Sequence, residues 1–390
     1  MGMVRRAMAG VVGVLVLGGG SALAGAWTAI GRAPGQADAD ARPASAHWDG
    51  ERFVNALPVE SDWPGMWRAV RDASADPEPG APPPVVVPPA GAWDAGPASG
   101  LRVTWLGHST MLIEVDGARF LTDPVWSERP SPVDWAGPRR FTPPVVALDA
   151  LPPVDGVLIS HDHYDHLDFP TVRALSAAGR RFFVPPGVDA HLRYWGVPAA
   201  QITVLDWWES AAVGGVEVVA TPARHASGRV NPQANRTLWA GWALRGPANR
   251  VYFSGDTGLF DELWEIGTRL GPFDLTLIEA GAYGGGWPDW HLGPEQAVEA
   301  HQMVQGRLLV PVHWGLFNLA MHAWTEPAER VLAAAAAAGV AVAVPRVGEA
   351  EEPARALPVL RWWPTVPTRT AAEDPIHSRG VARRPGGAPR

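Results

Sequence analysis

The chain contains no cysteine. Disulfides, thiolate-held metals, a cysteine nucleophile and lipidation of an N-terminal cysteine are therefore excluded, and any metal must be held by nitrogen and oxygen. The same absence leaves the redox compartment unmarked. Lysine is absent too, so all 32 basic residues are arginine; beside 43 glycines and 40 prolines this reads as compositional bias, and no function is drawn from it. Charged residues make up only 18%, and the formal net charge of −8 argues against a general nucleic-acid binder, which needs a basic surface to neutralise phosphates. What the chain has in quantity is apolar: 47% of its 390 residues, enough for a substantial core in one large domain or two smaller ones.

At the N-terminus, Arg5 and Arg6 precede an uncharged stretch from Ala7 to Gly31. A positive flank before such a run reads as an export signal, and the small residues around Ala22-Leu23-Ala24 suit cleavage. The run also has the ~20 or more residues that an uncleaved anchor needs to span a bilayer. Residues 1–31 are accordingly expected to be a signal peptide or an N-terminal membrane anchor. Either places the remainder in the cell envelope, periplasmic or anchored in the inner membrane, with membrane association through this segment. The paired arginines permit a twin-arginine route, although the residues that normally surround that pair are missing.

Residues 32–100 form a Pro/Ala-rich extension expected to dock in part on the main domain through the aromatic stretch HWDGERFVNALP. From Leu101 the runs RVTWLG, TMLIEV and ARFLTDP read as strands, with Asp116-Gly117 as a hairpin signal. GVLIS, RRFFVP, VEVVATP, TLWAGWAL, RVYFSGD, LTLIEA and RLLVPVHW continue the series, with helical stretches at 169–178, 294–305 and 326–338. The last opens with Thr325 and Pro327 and closes at Gly339. Strands with interleaved and peripheral helices imply a layered α/β domain over residues 101–350, its sheets inside. Residues 351–390 are expected to be largely a disordered tail.

Against this background residues 160–168 read SHDHYDHLD, directly after Val157-Leu158-Ile159. In an extended segment, residues two apart project to the same side, so His161 and His163 can converge on one cation, while Asp165 and His166, just beyond in a turn, can face a second. A merely solvated loop has no need of three histidines and an aspartate at this spacing behind a buried strand. Two cations need more ligands than one loop holds, and other strand ends supply them: His225 after VEVVATP, Asp256 in YFSGDTG and His313 in VPVHWG. A lone His225 or His313 would read as structural. Four occurrences with one geometry read as a site assembled on rigid supports.

HDHYDH resembles the His-x-His-x-Asp-His signature of the metallo-β-lactamase superfamily, whose downstream His, Asp and His follow here in the same order. WLGHST, FLTDPVWSERPSP, GPRRFTPP, LISHDHYDHLD, SGDTG, HLGPEQAVEAH and VHWG are similar more closely to the N-acyl-phosphatidylethanolamine-hydrolysing phospholipase D branch, and more distantly to ascorbate-phosphate lactonase-like proteins. The likeness runs over about residues 101–345, and HWDGERFVN at 47–55 is similar to that branch's N-terminal segment. The resemblance implies a four-layer αβ/βα sandwich with a dinuclear metal site at one edge. It implies His161, His163 and His225 on one metal, Asp165, His166 and His313 on the other, and Asp256 bridging two divalent ions, zinc being the expected identity.

Two cations ~3.5–4 Å apart share a hydroxide that can attack near neutral pH, so no protein nucleophile is required. Asp165 is counted among the catalytic groups as well as the ligands. His291 in DWHLGPEQ is the candidate acid for an alkoxide leaving group, with a structural role as the alternative. Asp123 in LTDP and His108 in LGHST are candidates to orient ligands through hydrogen bonds. Asp168 reads as a helix cap, His301 as core or surface, and His322 as near the pocket mouth, whereas His47, His191 and His377 receive no role. The 20 tryptophans, Trp287 and Trp290 among them, favour as a group a lipid-like substrate.

The function expected is a metal-dependent hydrolase, a phosphodiesterase of phospholipase D type acting on a small-molecule or phospholipid-like substrate, with no nucleic-acid partner. Alternatives are a lactonase or other ester hydrolase on the same centre, an iron-dependent oxidoreductase of the same fold, since His/Asp ligands accept iron, and a non-catalytic envelope protein, against which the complete ligand set argues. β-Lactamase activity would rest on fold alone.

Overall fold

Strand β2 (Thr110–Val115) is buried along its whole length, as a strand is when both of its faces are covered. It lies in the first of two seven-stranded sheets of the computed structural model, which describes residues 25–35, 45–230, 234–355 and 359–381. Strands β1 (Leu101–Gly107), β2 and β3 (Ala118–Thr122) form an antiparallel meander. The β2–β3 hairpin turns on Asp116 and Gly117, with φ of 47° and 90°, the left-handed pair that a tight two-residue hairpin requires. Beside β3 run β4 (Gly156–Leu158), β5 (Phe182–Val184) and β6 (Ile202–Val204), all parallel.

The second sheet repeats this plan. Its strands β7 (Ser210–Val213), β8 (Val216–Thr221), β9 (Gly241–Arg245) and β10 (Arg250–Phe253) are antiparallel. From β10 onward β11 (Phe273–Glu279), β12 (Gly306–Val312) and β13 (Ala341–Val342) are parallel. The short β14 (Ala350–Glu351) returns to the first sheet beside β1. The helices are α1 (Trp63–Arg71), α2 (Phe169–Ala177), α3 (Val188–Tyr194), α4 (Glu262–Leu270), α5 (Pro294–Met303) and α6 (Glu326–Ala338).

Side-chain alternation sorts the apolar residues into three layers of core. Ile113, Phe120 and Leu158 of the first sheet face Val218, Phe253, Leu277 and Val310 of the second. Their neighbours Leu112, Leu121, Val157 and Phe182 point outward against Val172 and Leu175 of α2 and Val188 and Leu192 of α3. On the far side Tyr252, Ile278 and Leu309 meet Leu263 and Ile266 of α4, Ala297 and Ala300 of α5 and Val331 of α6. The result is the helix–sheet–sheet–helix sandwich expected from the sequence. Each fully buried Val, Leu, Ile or Phe contributes ~1.5–3 kcal/mol, so this framework is stiff enough to hold polar groups at its edge. In the first sheet β1, β3 and β4 run in one direction, and in the second β8, β10, β11 and β12 do. Their C-terminal ends bring the candidate site residues together.

Several elements differ from the sequence reading. α1, α3, α4, β6 and β7 were not expected; α3, β6 and β7 are short, whereas α1 and α4 are amphipathic helices of nine residues that the sequence reading passed over. TLWAGWAL starts its strand only at Gly241, because Leu238 N–H and Ala240 N–H donate instead to Pro186 O and Ser160 O, fastening this stretch to the loops of the first sheet.

The chain ends depart most. Within the segment taken for a leader or anchor, residues 1–24 lie outside the described residues, whereas Thr28 O accepts from Trp195 Nε1 at 2.8 Å and Ala29 O from Arg229 Nη2 at 2.9 Å. No helix among the described residues is long and apolar enough to cross a membrane. The disorder expected for 351–390 does not hold over 359–381. There Trp363 and Ile376 are buried, Arg379 N–H donates to Asp289 Oδ1 at 2.8 Å and Ser378 Oγ to Pro288 O at 2.9 Å. Proline and arginine content hid a few apolar anchors sufficient to dock the segment.

Because Arg229 is buried, removing Ala29 leaves one of its donors unpaired, at a cost of about 1–3 kcal/mol. A chain that starts at residue 32 should therefore melt several degrees below one that starts at residue 25. Equal melting temperatures would show that residues 25–31 carry no structural weight.

Candidate metal centre

Loop 159–168 follows β4, and its two ends are tied from opposite sides. Asp123, just after β3, accepts Ser160 N–H at 2.7 Å and Ser160 Oγ at 2.6 Å. Arg229 Nη1 donates to Asp162 O at 2.8 Å and to Leu167 O at 2.9 Å. Asp162 itself turns away from the histidines, accepting Gly228 N–H at 2.7 Å and lying 3.1 Å from His191 Nε2. Burial alone would raise its carboxyl, but the His191 and Gly228 contacts hold it at about 2. Thus His191, given no role from spacing, supports the loop.

The structure brings the seven expected ligands together in two overlapping groups. In the first, His161 Nε2 is 2.8 Å from His163 Nδ1 and 3.8 Å from Asp256 Oδ2, and His225 Nε2 is 3.4 Å from His163 Nδ1 and 3.7 Å from Asp256 Oδ2. In the second, Asp165 Oδ2, His166 Nε2 and His313 Nε2 lie 3.2 Å from one another. Asp256 Oδ2 is 3.1 Å from His166 Nε2 and 3.2 Å from His313 Nε2, so this one oxygen belongs to both groups.

Ligand atoms around a tetrahedral ion with bonds near 2.0–2.1 Å sit roughly 3.3 Å apart, close to these spacings. Asp256 Oδ1 is buried with no hydrogen-bond partner among the described residues, as suits a further metal contact. The donor set therefore fits cations held by nitrogen and oxygen. His108 lies where it can orient a ligand, with Nε2 2.9 Å from Asp165 Oδ2, and it also falls among the donors of the second group.

Oxygen partners, two from side chains and one from the backbone, fix the rings. Asp123 Oδ2 lies 2.7 Å from His166 Nδ1, Ser160 Oγ 3.0 Å from His161 Nδ1, and Trp290 O 2.8 Å from His225 Nδ1. Such contacts set the tautomer and aim the opposite nitrogen at a metal. The backbone is strained at the same places: His108, Asp123 and His313 have φ of 53°, 34° and 66°. Non-glycine residues in this region cost about 1–3 kcal/mol each and persist where surrounding packing enforces them. Gly281 is required here, since a Cβ would lie 2.0 Å from His313 O.

Sequence reasoning missed two participants. Asn55, from the extension, clamps the His225 backbone, accepting its N–H at 3.1 Å and donating to its carbonyl at 2.7 Å. Glu279, the last residue of β11, is buried with Oε2 2.7 Å from His291 Nδ1. A charged residue ending the apolar run FDLTLIE was a usable signal, because it occupies the same strand-end position as the other site residues. Asp168 does hold the N-cap position of α2 but makes no cap bond; its carboxylate instead accepts Ser127 Oγ at 2.7 Å and the N–H groups of Trp126 and Ser127. His301 is a core residue bonded to Thr276 Oγ1 at 2.7 Å, its pKa lowered to about 4 by burial. His322 stacks on Tyr283 at a neighbouring cavity and also lines a small gap with His313 and Leu319, beside the cavity of the metal groups.

The candidate centre opens into a cavity of about 370 Å³ lined by Met66, Asp165, Trp287, Trp290, His291 and Leu319, among others. Met66 comes from α1, so the N-terminal extension forms one wall. The other tryptophans near loop ends divide: Trp314 packs in a core stack with Trp105 and Trp362, and Trp135 is exposed.

The carboxylates compete for protons with any cation. Burial alone would lower His313, but Asp256 and Asp165 raise it to about 10, and Asp256, Asp165 and Asp123 raise His166 in the same way against its burial. His161 and His225 are instead lowered, first by burial and then by their imidazole neighbours. Nε2 of His313 and of His166 must lose a proton before it can bind a metal. Zinc loading at neutral pH should therefore release protons, seen as a buffer-dependent binding enthalpy, and zinc affinity should rise from about pH 6 to about pH 8. Affinity independent of pH would contradict the protonated pair.

A family model described as the beta-lactamase superfamily domain matches residues 118–314. The chain is 48% identical over 376 residues to an uncharacterised protein of Mycobacterium tuberculosis, a match covering 93% of this chain and 100% of that protein. It is 40% identical over 233 residues to the N-acyl-phosphatidylethanolamine-hydrolysing phospholipase D 1 of Caenorhabditis elegans, covering 57% of this chain and 65% of that protein. It is also 31% identical over 220 residues to a UPF0173 metal-dependent hydrolase of Pyrobaculum neutrophilum, covering 56% and 86% respectively. Among solved structures, a metallo-hydrolase of Ignicoccus hospitalis shares the fold with a TM-score of 0.50 at 24% identity, over 64% of this chain and 97% of that one. With its two sheets and its strand-end cluster of histidines and aspartates, the chain belongs to the metallo-β-lactamase superfamily and is a metal-dependent hydrolase of that fold.

Proposed function

We propose that this hydrolase is a phosphodiesterase of phospholipase D type, holding two divalent cations, zinc in the first instance, and acting on a phospholipid-like substrate in the cell envelope. The observation that carries the reading is the common cavity: two overlapping donor groups that share Asp256 Oδ2, with His291 beside them. Likeness to the Caenorhabditis elegans phospholipase D supports the substrate class. His161, His163 and His225 would hold one cation, Asp165, His166 and His313 the other, and Asp256 both. Cations held by these residues would supply an activated water and neutralise charge developing on the phosphoryl group.

The remaining work falls to the chain's own groups. Asp165 lines the cavity and presents its carboxylate to the attacking water. His291, with Nδ1 committed to Glu279, turns Nε2 toward the departing alkoxide, which it can protonate only when that nitrogen carries a hydrogen as well. Met66, Trp287, Trp290 and Leu319 offer an apolar wall to a lipid-like group and keep bulk water from the leaving oxygen. No serine or threonine is needed as nucleophile, because water attacks directly.

A screen of the zinc-loaded protein against phosphodiesters, phospholipids, lactones and β-lactams should find turnover in the first two classes; turnover of lactones alone would replace this reading by the lactonase one. Replacing His291 by Ala should lower kcat/KM by ~100-fold or more for an alkyl phosphodiester. For a nitrophenyl ester, whose leaving group needs little protonation, the loss should be much smaller. Equal losses on both substrates would assign His291 to binding or to site structure.

A further inference from the structure

Glu279 is buried at the end of β11, and its two oxygens have different partners. Oε1 accepts the backbone N–H of Thr257 and, at 3.4 Å, that of Leu292. Oε2 lies 2.7 Å from Nδ1 of His291 and 4.0 Å from Nδ1 of His313. We infer that Glu279 is the positioning carboxylate of this site: its Oε2 fixes which nitrogen of His291 faces the substrate.

The argument for His291 is one of donors and acceptors. Backbone N–H groups can only donate, so Oε1 is an acceptor, and we take the 2.7 Å contact at Oε2 as Nδ1–H donating to it, the form that the tautomer measurement below decides. Nδ1 of His291 therefore carries hydrogen toward Oε2, and Nε2 is the nitrogen left for a substrate. The ring has little room to turn. Its centroid lies 5.0 Å from that of His225 and 5.2 Å from that of His313, so it is wedged between members of the two donor groups.

Glu279→Gln separates this role from bulk, because a carboxamide keeps the size but has only one acceptor oxygen. With that oxygen on Thr257 and Leu292, its NH2 faces Nδ1 of His291 and, as a donor, requires a lone pair there. A single hydrogen on His291 then sits at Nε2, and the ring can no longer hold hydrogen on both nitrogens at once, the form that gives up a proton from Nε2 while Nδ1 stays bonded. The choice of substrate for the test rests on the phosphodiesterase reading, whereas the tautomer of His291 does not.

In the zinc-loaded full chain, 15N-histidine NMR should report His291, identified by the signal lost in His291→Ala, with hydrogen on Nδ1 in the wild type and on Nε2 in Glu279→Gln. The variant should lose ~100-fold in kcat on an alkyl phosphodiester with KM little changed. The double variant Glu279→Gln/His291→Ala should be no slower than His291→Ala alone, as expected when one residue acts through the other. An unchanged tautomer in Glu279→Gln, or multiplicative losses in the double variant, would overturn the inference. A tautomer that moves in a protein that turns over no phosphodiester would uphold the positioning role and refute the substrate reading.

Discussion

Imidazole nitrogens 2.8 Å apart, such as His161 Nε2 and His163 Nδ1, must share a proton or a cation, since two lone pairs at that distance repel. The same demand recurs across the cluster, where Asp256 Oδ2 stands between two groups of histidines with Asp165 close by. A buried assembly of this kind is costly unless its charge is balanced and its remaining donors and acceptors are satisfied. Much of the surrounding structure supplies that satisfaction: Asp123 behind His166 and Ser160, Asp162 and His191 behind the loop, Arg229 across its two ends, and Asn55 on the backbone of His225.

The fold makes such precision possible because the site residues leave strands whose cores are packed on both faces. His108, Asp123, Asp256, Glu279 and His313 each lie at or just past the end of a strand, so small backbone shifts are resisted by the whole sandwich. Positive φ at three of them records the compromise between a regular strand and a side chain that must turn inward. The peripheral segments extend this support. The N-terminal extension brings Met66 and Asn55, and residues 376–379 brace the 288–296 stretch that carries His291.

The layered fold and the cluster itself were legible in the sequence because their signals are local: apolar runs at strand length, and His-x-His-x-Asp-His directly after one of them. Asp123 and His108 were legible as neighbours of such runs, and each lies within hydrogen-bond distance of a ligand, His166 and Asp165 respectively. Glu279 escaped because a single acid closing an apolar strand also reads as an ordinary surface terminus; only the burial supplied by α5 and the 291–293 turn distinguishes the two. Asn55 and the docked 359–381 segment escaped for a different reason. Their partners lie more than a hundred residues away or depend on one or two apolar anchors, and composition averages such anchors out. Asp168 shows the converse, a good local cap signal overridden when Trp126 and Ser127 offered it stronger donors.

The claim that Asp256 is shared by two cations is tested most directly by anomalous diffraction from zinc-loaded crystals at the zinc edge. Two peaks ~3.5–4 Å apart are predicted, one among His161, His163 and His225, the other among Asp165, His166 and His313, with Asp256 between them. A single peak, or a second one removed from Asp256, would contradict the account.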